Sequence, residues 1–398
     1  MTKETFINPS LQRGDKDVSQ GRERFQTFLG KPLKRLDDLS AKESTSLKRG
    51  VTEMESVVNN LAANTRFQNA LAGIPQPTPP IWLMRQAGRY HRHYQDLRRQ
   101  FSFIDLCKQP ELAAHVALGP VLDFDFDAAI LFSDLLFPLE ALGMGLDYTD
   151  AGPQLGWHLT AQTIERLRDV EEAWPHLLFQ GNAVRETRTL LPVDKSLIGF
   201  VGGPWTLFVY AVAGTHKNVG RGVKELKLFE QFCEMLVPLL IRNIEIQLAN
   251  GAEVVMVFDT AAGELAPGAF QAEVVPQLER LTSNFPSRLG YYSKATTRDH
   301  LNHNLFTNGG WAGIGVDHHW DLREAFEMFP NGFVQGNFDQ NLLLASRDEL
   351  KLNLEEFLKP ILKNDRTGWI CGLGHGVLPK TPEENVRLFV DTVREVLQ

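Results

Sequence analysis

The chain has 398 residues, 43% hydrophobic and 23% charged, with a formal net charge of −8. This composition supports a large buried core and lacks the overall basic balance expected of a nucleic-acid-binding protein. Three scattered cysteines (Cys107, Cys233 and Cys371, with no CxxC) argue against a disulfide framework, and no run approaches the ~18 apolar residues of a membrane span. The N-terminus has no secretory apolar run, and its early acids (Glu4, Asp15, Asp17, Glu23) speak against an organelle transit peptide, so the expected location is cytoplasmic.

Residues 1–62 are polar, mixed in charge and aperiodic, and read as an N-terminal extension, flexible or loosely attached, with no chemistry assigned. Residues 63–398 read as a single domain. Eight short apolar runs mark it: Ile81–Met84, Ala128–Phe132, Leu197–Val201, Val254–Phe258, Leu289–Tyr292, Ala312–Val316, Phe333–Gln335 and Trp369–Cys371. Such runs suit strands buried on both faces of a parallel sheet. Helical patterns lie between them at Pro110–Leu122 (despite Pro120), Val223–Ala249, Trp320–Phe329, Ser346–Leu362 and Pro382–Leu397. The last has a start signal, with Thr381 as N-cap, Pro382 at N1 and Glu384 completing a capping box. Leu146–Trp157 reads as a hairpin excursion. The alternation of strand and helix predicts an α/β fold, a (β/α)8 TIM barrel. The competitor is a doubly wound open sheet, disfavoured because no GxGxxG follows the first strand.

A barrel of this kind builds its active site at the C-terminal ends of its strands. Polar and glycine residues follow nearly every run: Arg85 to Tyr90, Ser133-Asp134, Gly202 to Trp205 with Tyr210 beyond, Asp259-Thr260, Ser293-Lys294, Asp317, Gly336-Asn337 and Gly372 to Gly376. Arg85 and Arg89 lie four apart around Gly88, in either a helix or a folded-back loop. Two guanidiniums there suit carboxylate ligands, and equally suit acidic partners on the barrel rim. Asp134 sits between apolar runs and is therefore either paired, with Arg85 or Arg89, or functional. His375 lies between glycines, open to a ligand or to a structural role. Tyr210 and Thr260 are hydrogen-bond donors for a substrate or for the barrel itself. Asp259, Asp317, His318, His319 and His375 are conceivable metal ligands, but no HExxH, HxxEH or cysteine-rich spacing accompanies them. There is no P-loop and no GxSxG elbow.

Six longer segments carry a resemblance: PPIWLMRQAGRY (79–90), AAILFSDLLFPLEALGMGLDY (128–148), GFVGGPWTLFVY (199–210), VFDTAAGEL (257–265), VQGNFD (334–339) and GLGHGVLPKTPEENV (372–386). Over these the chain resembles the uroporphyrinogen decarboxylase family of haem biosynthesis. The resemblance implies a (β/α)8 barrel, a homodimer with facing clefts, and removal of the four acetate carboxyl groups of uroporphyrinogen III with no metal and no organic cofactor. It further implies that Arg85, Gln86, Ala87, Gly88 and Arg89 bind substrate. Asp134 becomes the catalytic carboxylate that stabilises a protonated pyrrole, and Tyr210, Thr260 and His375 complete the substrate shell. Neither a nucleic acid nor a membrane is an expected partner.

The chain departs from the family pattern at His91-Arg92-His93 (usually Leu-Pro-Glu), Gly372 (often Asn) and Gln340 (usually Pro), and residues 1–62 have no family counterpart. The histidines bear on how substrate carboxylates are gripped. Two rival readings are a related methyltransferase using zinc and a methylcobamide, whose His-x-Cys ligand pair is missing from this sequence, and a porphyrinogen-binding barrel without catalysis.

Overall fold

The apolar runs become the staves of a parallel barrel in a computed structural model that describes residues 64–149, 152–214, 222, 224–361 and 367–397. In chain order the strands are β1 (Ala128–Ile130), β2 (Leu146–Thr149), β3 (Gly152–Leu155), β4 (Ser196–Gly202), β5 (Val254–Asp259), β6 (Leu289–Ser293), β7 (Gly313–Gly315), β8 (Phe333–Phe338) and β9 (Trp369–Leu373). β1 and β4 to β9 pair in that order, all parallel, and every residue in them is buried. Full burial explains why these strands are continuously apolar rather than alternating.

The eighth stave is the first predicted run, and it is reduced to one bridge at Ile81, paired with Cys371 of β9. Cys371 N donates to Pro80 O at 2.9 Å, and on the other side Asp127 N donates to Ile81 O at 2.9 Å. Those bonds close the ring between β9 and β1. A longer ladder does not form because Pro79 and Pro80 have no N–H and because the Asp127 carboxylate, at 2.8 Å, takes the N–H of Ile81 itself.

The principal helices are α1 (Pro110–Phe124), α2 (Phe137–Ala141), α3 (Leu178–Leu190), α4 (Pro204–Ala213), α5 (Leu226–Ala249), α6 (Val275–Thr282), α7 (Leu322–Met328), α8 (Arg347–Leu358) and α9 (Glu383–Val396). Five of these match the predicted helical patterns. α4 escaped detection because eight of its ten residues are buried, so its sequence is apolar all round. α3 escaped because its pattern is broken at Gly181, where a Cβ would lie 2.1 Å from Ile246 of α5. The start of α9 also differs. Pro382 is the N-cap, in extended backbone, and Thr381 is buried with a hydroxyl that makes no hydrogen bond among the described residues. The hairpin is present as β2 antiparallel to β3. The predicted extension, residues 1–62, lies outside the described residues.

Candidate active site at the mouth of the barrel

The segment after Ile81 is a loop of turns rather than a helix. Arg85 adopts φ 60, a left-handed conformation that costs a residue with a Cβ roughly 1–2 kcal/mol. Gln86 holds it there. Its N donates to Leu83 O at 2.9 Å, its Oε1 accepts from Leu83 N at 3.1 Å, and its Nε2 donates to Ala128 O at 3.0 Å. The Gln86 carbonyl accepts from Tyr90 Oη at 2.8 Å. The Gln86 side chain is fully buried and braces the loop. Ala87 and Gly88 are half-exposed, and Arg85 and Arg89 are exposed. Among the described residues neither arginine has an ion-pair partner. Gly376 accommodates Arg85 closely, since a Cβ there would lie 2.4 Å from Arg85 Cδ.

Asp134 follows β1, its Oδ1 accepting from Leu136 N at 2.9 Å. Burial raises its carboxyl above the usual aspartate range, opposed by the Leu136 N–H, the Tyr148 hydroxyl and the Arg85 charge. Tyr148 comes from β2, its ring packed 4.6 Å from that of Phe103. Its buried hydroxyl interacts with Asp134 without meeting hydrogen-bond geometry and has no other partner among the described residues. Burial first, and then the Asp134 charge, push up the ionisation of Cys107, Tyr148 and Tyr210, the last to about 12. Arg85, Asp134 and Tyr210 are thus electrostatic neighbours, which the sequence alone left open.

Tyr210 stands on α4, whose start is fixed by Asp259 at the end of β5. Gly203, the N-cap, has no side chain, and a Cβ there would collide with Asp259 Cβ at 2.4 Å. Asp259 Oδ1 instead accepts from Thr206 N at 2.7 Å and Thr206 Oγ1 at 2.6 Å, capping the helix from another element. Burial pushes Asp259 up to about 6. The folded state therefore binds this proton more tightly than the unfolded chain does. The residue's contribution to stability is full below about pH 4 and is lost as pH rises through about 6. Asp259→Asn keeps the acceptor and can donate to the buried Tyr291 Oη beside it, which interacts with Asp259 and Ser293 without meeting hydrogen-bond geometry among the described residues. We expect the variant to be more stable than wild type by roughly 1–3 kcal/mol at pH 7.5, with the difference shrinking towards zero near pH 4. Thermal unfolding across that range checks this.

His375 is oriented by Tyr292 of β6. The Tyr292 hydroxyl donates to Gly374 O at 2.8 Å and contacts His375 Nδ1 at 3.0 Å. A hydroxyl has one hydrogen, so Nδ1–H is the donor in the second contact, and a neutral ring carries its lone pair on Nε2. Tyr292 also lies in the field of Arg85, which ties His375 to the arginine loop. Thr260 is half-buried at the end of β5, with no hydrogen bond to the other candidates.

Other strand-end residues serve the scaffold. Asp317 accepts from Ala295 N at 2.6 Å and His319 N at 3.0 Å, and Asn337 Nδ2 donates to the carbonyls of Asp317 and Trp320 at 2.9 and 2.7 Å. Among the described residues, no three His, Cys, Asp or Glu side chains converge as metal ligands. His91 is buried behind the arginine loop, its Nε2 2.7 Å from Asp123 Oδ2, and His93 Nε2 donates to His115 O at 3.0 Å over Gly119. Both histidines therefore buttress the loop against α1 rather than facing the mouth.

Comparison with known proteins shows the family. The family model for uroporphyrinogen decarboxylase (URO-D) matches residues 62–396. The uroporphyrinogen decarboxylase of Thermus thermophilus is 35% identical over 343 residues, covering 84% of this chain and 98% of the relative. That of Syntrophotalea carbinolica is 36% identical over 343 residues, covering 83% and 98%. The chain belongs to the uroporphyrinogen decarboxylase family. Among solved structures, a methyltransferase from Methanosarcina mazei has a TM-score of 0.65 at 20% identity, covering 83% of this chain and 98% of that one, a likeness of fold. No described helix is long and apolar enough to cross a membrane.

In this uroporphyrinogen decarboxylase family member, three residues at the mouth were not singled out from sequence: Tyr148, Tyr292 and Gly376. Tyr148 lies in the quoted 128–148 segment, but only the hairpin turns it back over Asp134. Tyr292 reads as one more strand aromatic. Gly376 reads as flanking His375, although the close approach concerns Arg85.

Proposed function

We propose that this chain is a cofactor-independent carboxy-lyase that converts uroporphyrinogen III to coproporphyrinogen III by releasing its four acetate carboxyl groups as carbon dioxide. Residues 63–398 carry the activity, and the chain works as a homodimer, as the family resemblance implies. The observation that carries the reading is a single buried carboxylate, Asp134, in the field of Arg85, with neither Arg85 nor Arg89 having an ion-pair partner among the described residues. A substrate with eight carboxylates needs cations free to receive them, and a barrel that had spent its arginines on its own rim could not supply them.

The chemistry proceeds one acetate at a time. A proton added to the ring carbon beside the nitrogen, next to the carbon bearing the acetate, leaves positive charge on the acetate-bearing carbon and makes the ring an electron sink. The bond to the carboxylate then breaks, carbon dioxide leaves, and the electron pair moves into the ring as an exocyclic methylene. Protonation of that methylene gives the methyl group, and loss of the ring proton restores the pyrrole. Each cycle consumes one proton and releases one carbon dioxide. Asp134 accepts the pyrrole N–H hydrogen bonds and offsets the ring's positive charge, a preorganised electrostatic role. Arg85 and Arg89 receive acetate and propionate groups, and Tyr210, Thr260 and His375 hydrogen-bond around them. Ala87 and Gly88 keep the loop slim enough for close approach, and Gln86 braces it.

The test is anaerobic incubation with uroporphyrinogen III, with and without EDTA. Coproporphyrinogen III is expected at the same rate in both. Loss of activity on chelation together with bound zinc would favour the methyltransferase reading, and tight porphyrinogen binding without turnover would favour the non-catalytic one.

A further inference from the structure

Three buried amides connect the barrel wall to the residue before Asp134. Gln247 and Asn243 lie on α5 and Gln180 on α3, with relative exposures of 0%, 1% and 2%. The backbone of Phe200 in β4 fixes the first of them. Phe200 N donates to Gln247 Oε1 at 2.8 Å, so the opposite arm, Nε2, donates to Phe200 O at 2.9 Å. That Nε2 also donates to Asn243 Oδ1 at 3.2 Å. Asn243 Nδ2 in turn donates to Gln180 Oε1 at 2.7 Å, and Gln180 Nε2 donates to Ser133 Oγ at 2.7 Å. Every donor points the same way. Turning one amide over would set like groups face to face, at the cost of unsatisfied buried donors and acceptors. Ser133 is left as an acceptor in this chain, and its own hydrogen has no acceptor among the described residues. The strand makes room for the arrangement at Gly199, where a Cβ would lie 2.4 Å from Gln247 Oε1.

Apolar residues of equal volume would fill this space without any requirement on direction, and would often serve stability as well. What an amide chain adds is a unique geometry at its far end. We propose that the relay is a positioning device: Gln247, Asn243 and Gln180 lock Ser133, and through it hold Asp134 at the orientation needed at the barrel mouth. The kinetic part of this proposal rests on the decarboxylase reading above, whereas the structural part does not.

The test compares Gln180→Met, Ser133→Ala and their double variant with wild type. Thr187→Val serves as a control: Thr187 is buried on the same helix, with Oγ1 donating to Ala183 O at 2.7 Å, outside the relay. Gln180→Met keeps the volume and removes the link. It is expected to lower kcat about 10- to 100-fold with KM little changed, as a small misplacement of a catalytic group does. Ser133→Ala should do the same and Ser133→Thr should restore activity. The double variant should be no worse than the poorer single one, because both cut the same chain. Thr187→Val should lower Tm and leave kcat alone. Ser133 is half-buried, so its variants keep the test open if Gln180→Met does not fold.

A second readout needs no turnover. A carboxyl carbon NMR titration, with Asp134 assigned by its absence in Asp134→Asn, follows a group that faces Arg85, Tyr148, Cys107 and Tyr210. In Gln180→Met the Asp134 transition should move down towards the ordinary aspartate range, and in Thr187→Val it should not move. Unchanged kcat and titration in Gln180→Met, or effects of Gln180 and Ser133 that multiply, would overturn the relay. A wild-type protein inactive on uroporphyrinogen III would sink the decarboxylase reading alone, and the titration would still decide the relay.

Discussion

Asp134→Asn is expected to lower kcat by about 10²- to 10³-fold while the barrel stays folded. The substitution keeps the size of the side chain and the acceptor for Leu136 N, its one hydrogen bond to the backbone. It removes the charge. If Asp134 were there for stability, Asn would cost stability. Burial, however, raises its carboxyl, which means that the charged form is the expensive one in this setting. The neutral variant should therefore unfold at the wild-type temperature or above. Anaerobic turnover and thermal unfolding, measured on the same preparation, separate the two roles. A large fall in Tm with a proportionate fall in activity would assign Asp134 to the scaffold.

The second large effect concerns Arg85. Arg85→Ala should reduce kcat/KM by about 10- to 100-fold, the scale of one or two lost hydrogen bonds to a charged group. Gly376→Ala should move kcat/KM in the same direction without touching any charge, because the added methyl must displace the Arg85 side chain, whose Cδ lies 2.4 Å from the Cβ position. In an Arg85→Ala background the Gly376 change should then cost little, since nothing remains to be displaced. Full additivity in that cycle, read from initial rates over a range of substrate concentrations, would show that Gly376 acts on something other than the arginine.

Much of this architecture was legible before any coordinate. The strands are apolar throughout because both of their faces are buried, and that run length marked all eight staves, including the one that shrinks to Ile81. α4 was not legible, because burial on every side erases the 3.6-residue period and leaves a segment that looks like a strand. The arginines and Asp134 stood out because charge beside an apolar run demands a reason. Gln86 did not separate from them in the sequence. Its role depends on two long-range facts, the carbonyl of Ala128 and the turn at Leu83, that no local pattern encodes. The same holds for Tyr292, which orients His375 across 83 residues of chain. His91 and His93 drew suspicion by standing next to Arg89 in sequence. The structure packs their rings against α1, at Phe124 and Gly119.

The relay among Gln247, Asn243, Gln180 and Ser133 was invisible for a related reason. Asn243 and Gln247 are one turn apart on α5, and singly each reads as an ordinary polar position on a helix. Only packing against β4 and α3 removes them from water and gives each a fixed direction.

The central claim is that one barrel mouth, centred on Asp134, removes all four acetate carboxyls. Uroporphyrinogen III labelled with carbon-13 in its acetate carboxyl groups tests it most directly, incubated anaerobically with the purified chain and EDTA, with product and gas followed together. The account predicts four labelled carbon dioxide molecules per tetrapyrrole and unlabelled coproporphyrinogen III. Recovery of substrate with its label intact, or product formed only when metal is restored, would contradict it.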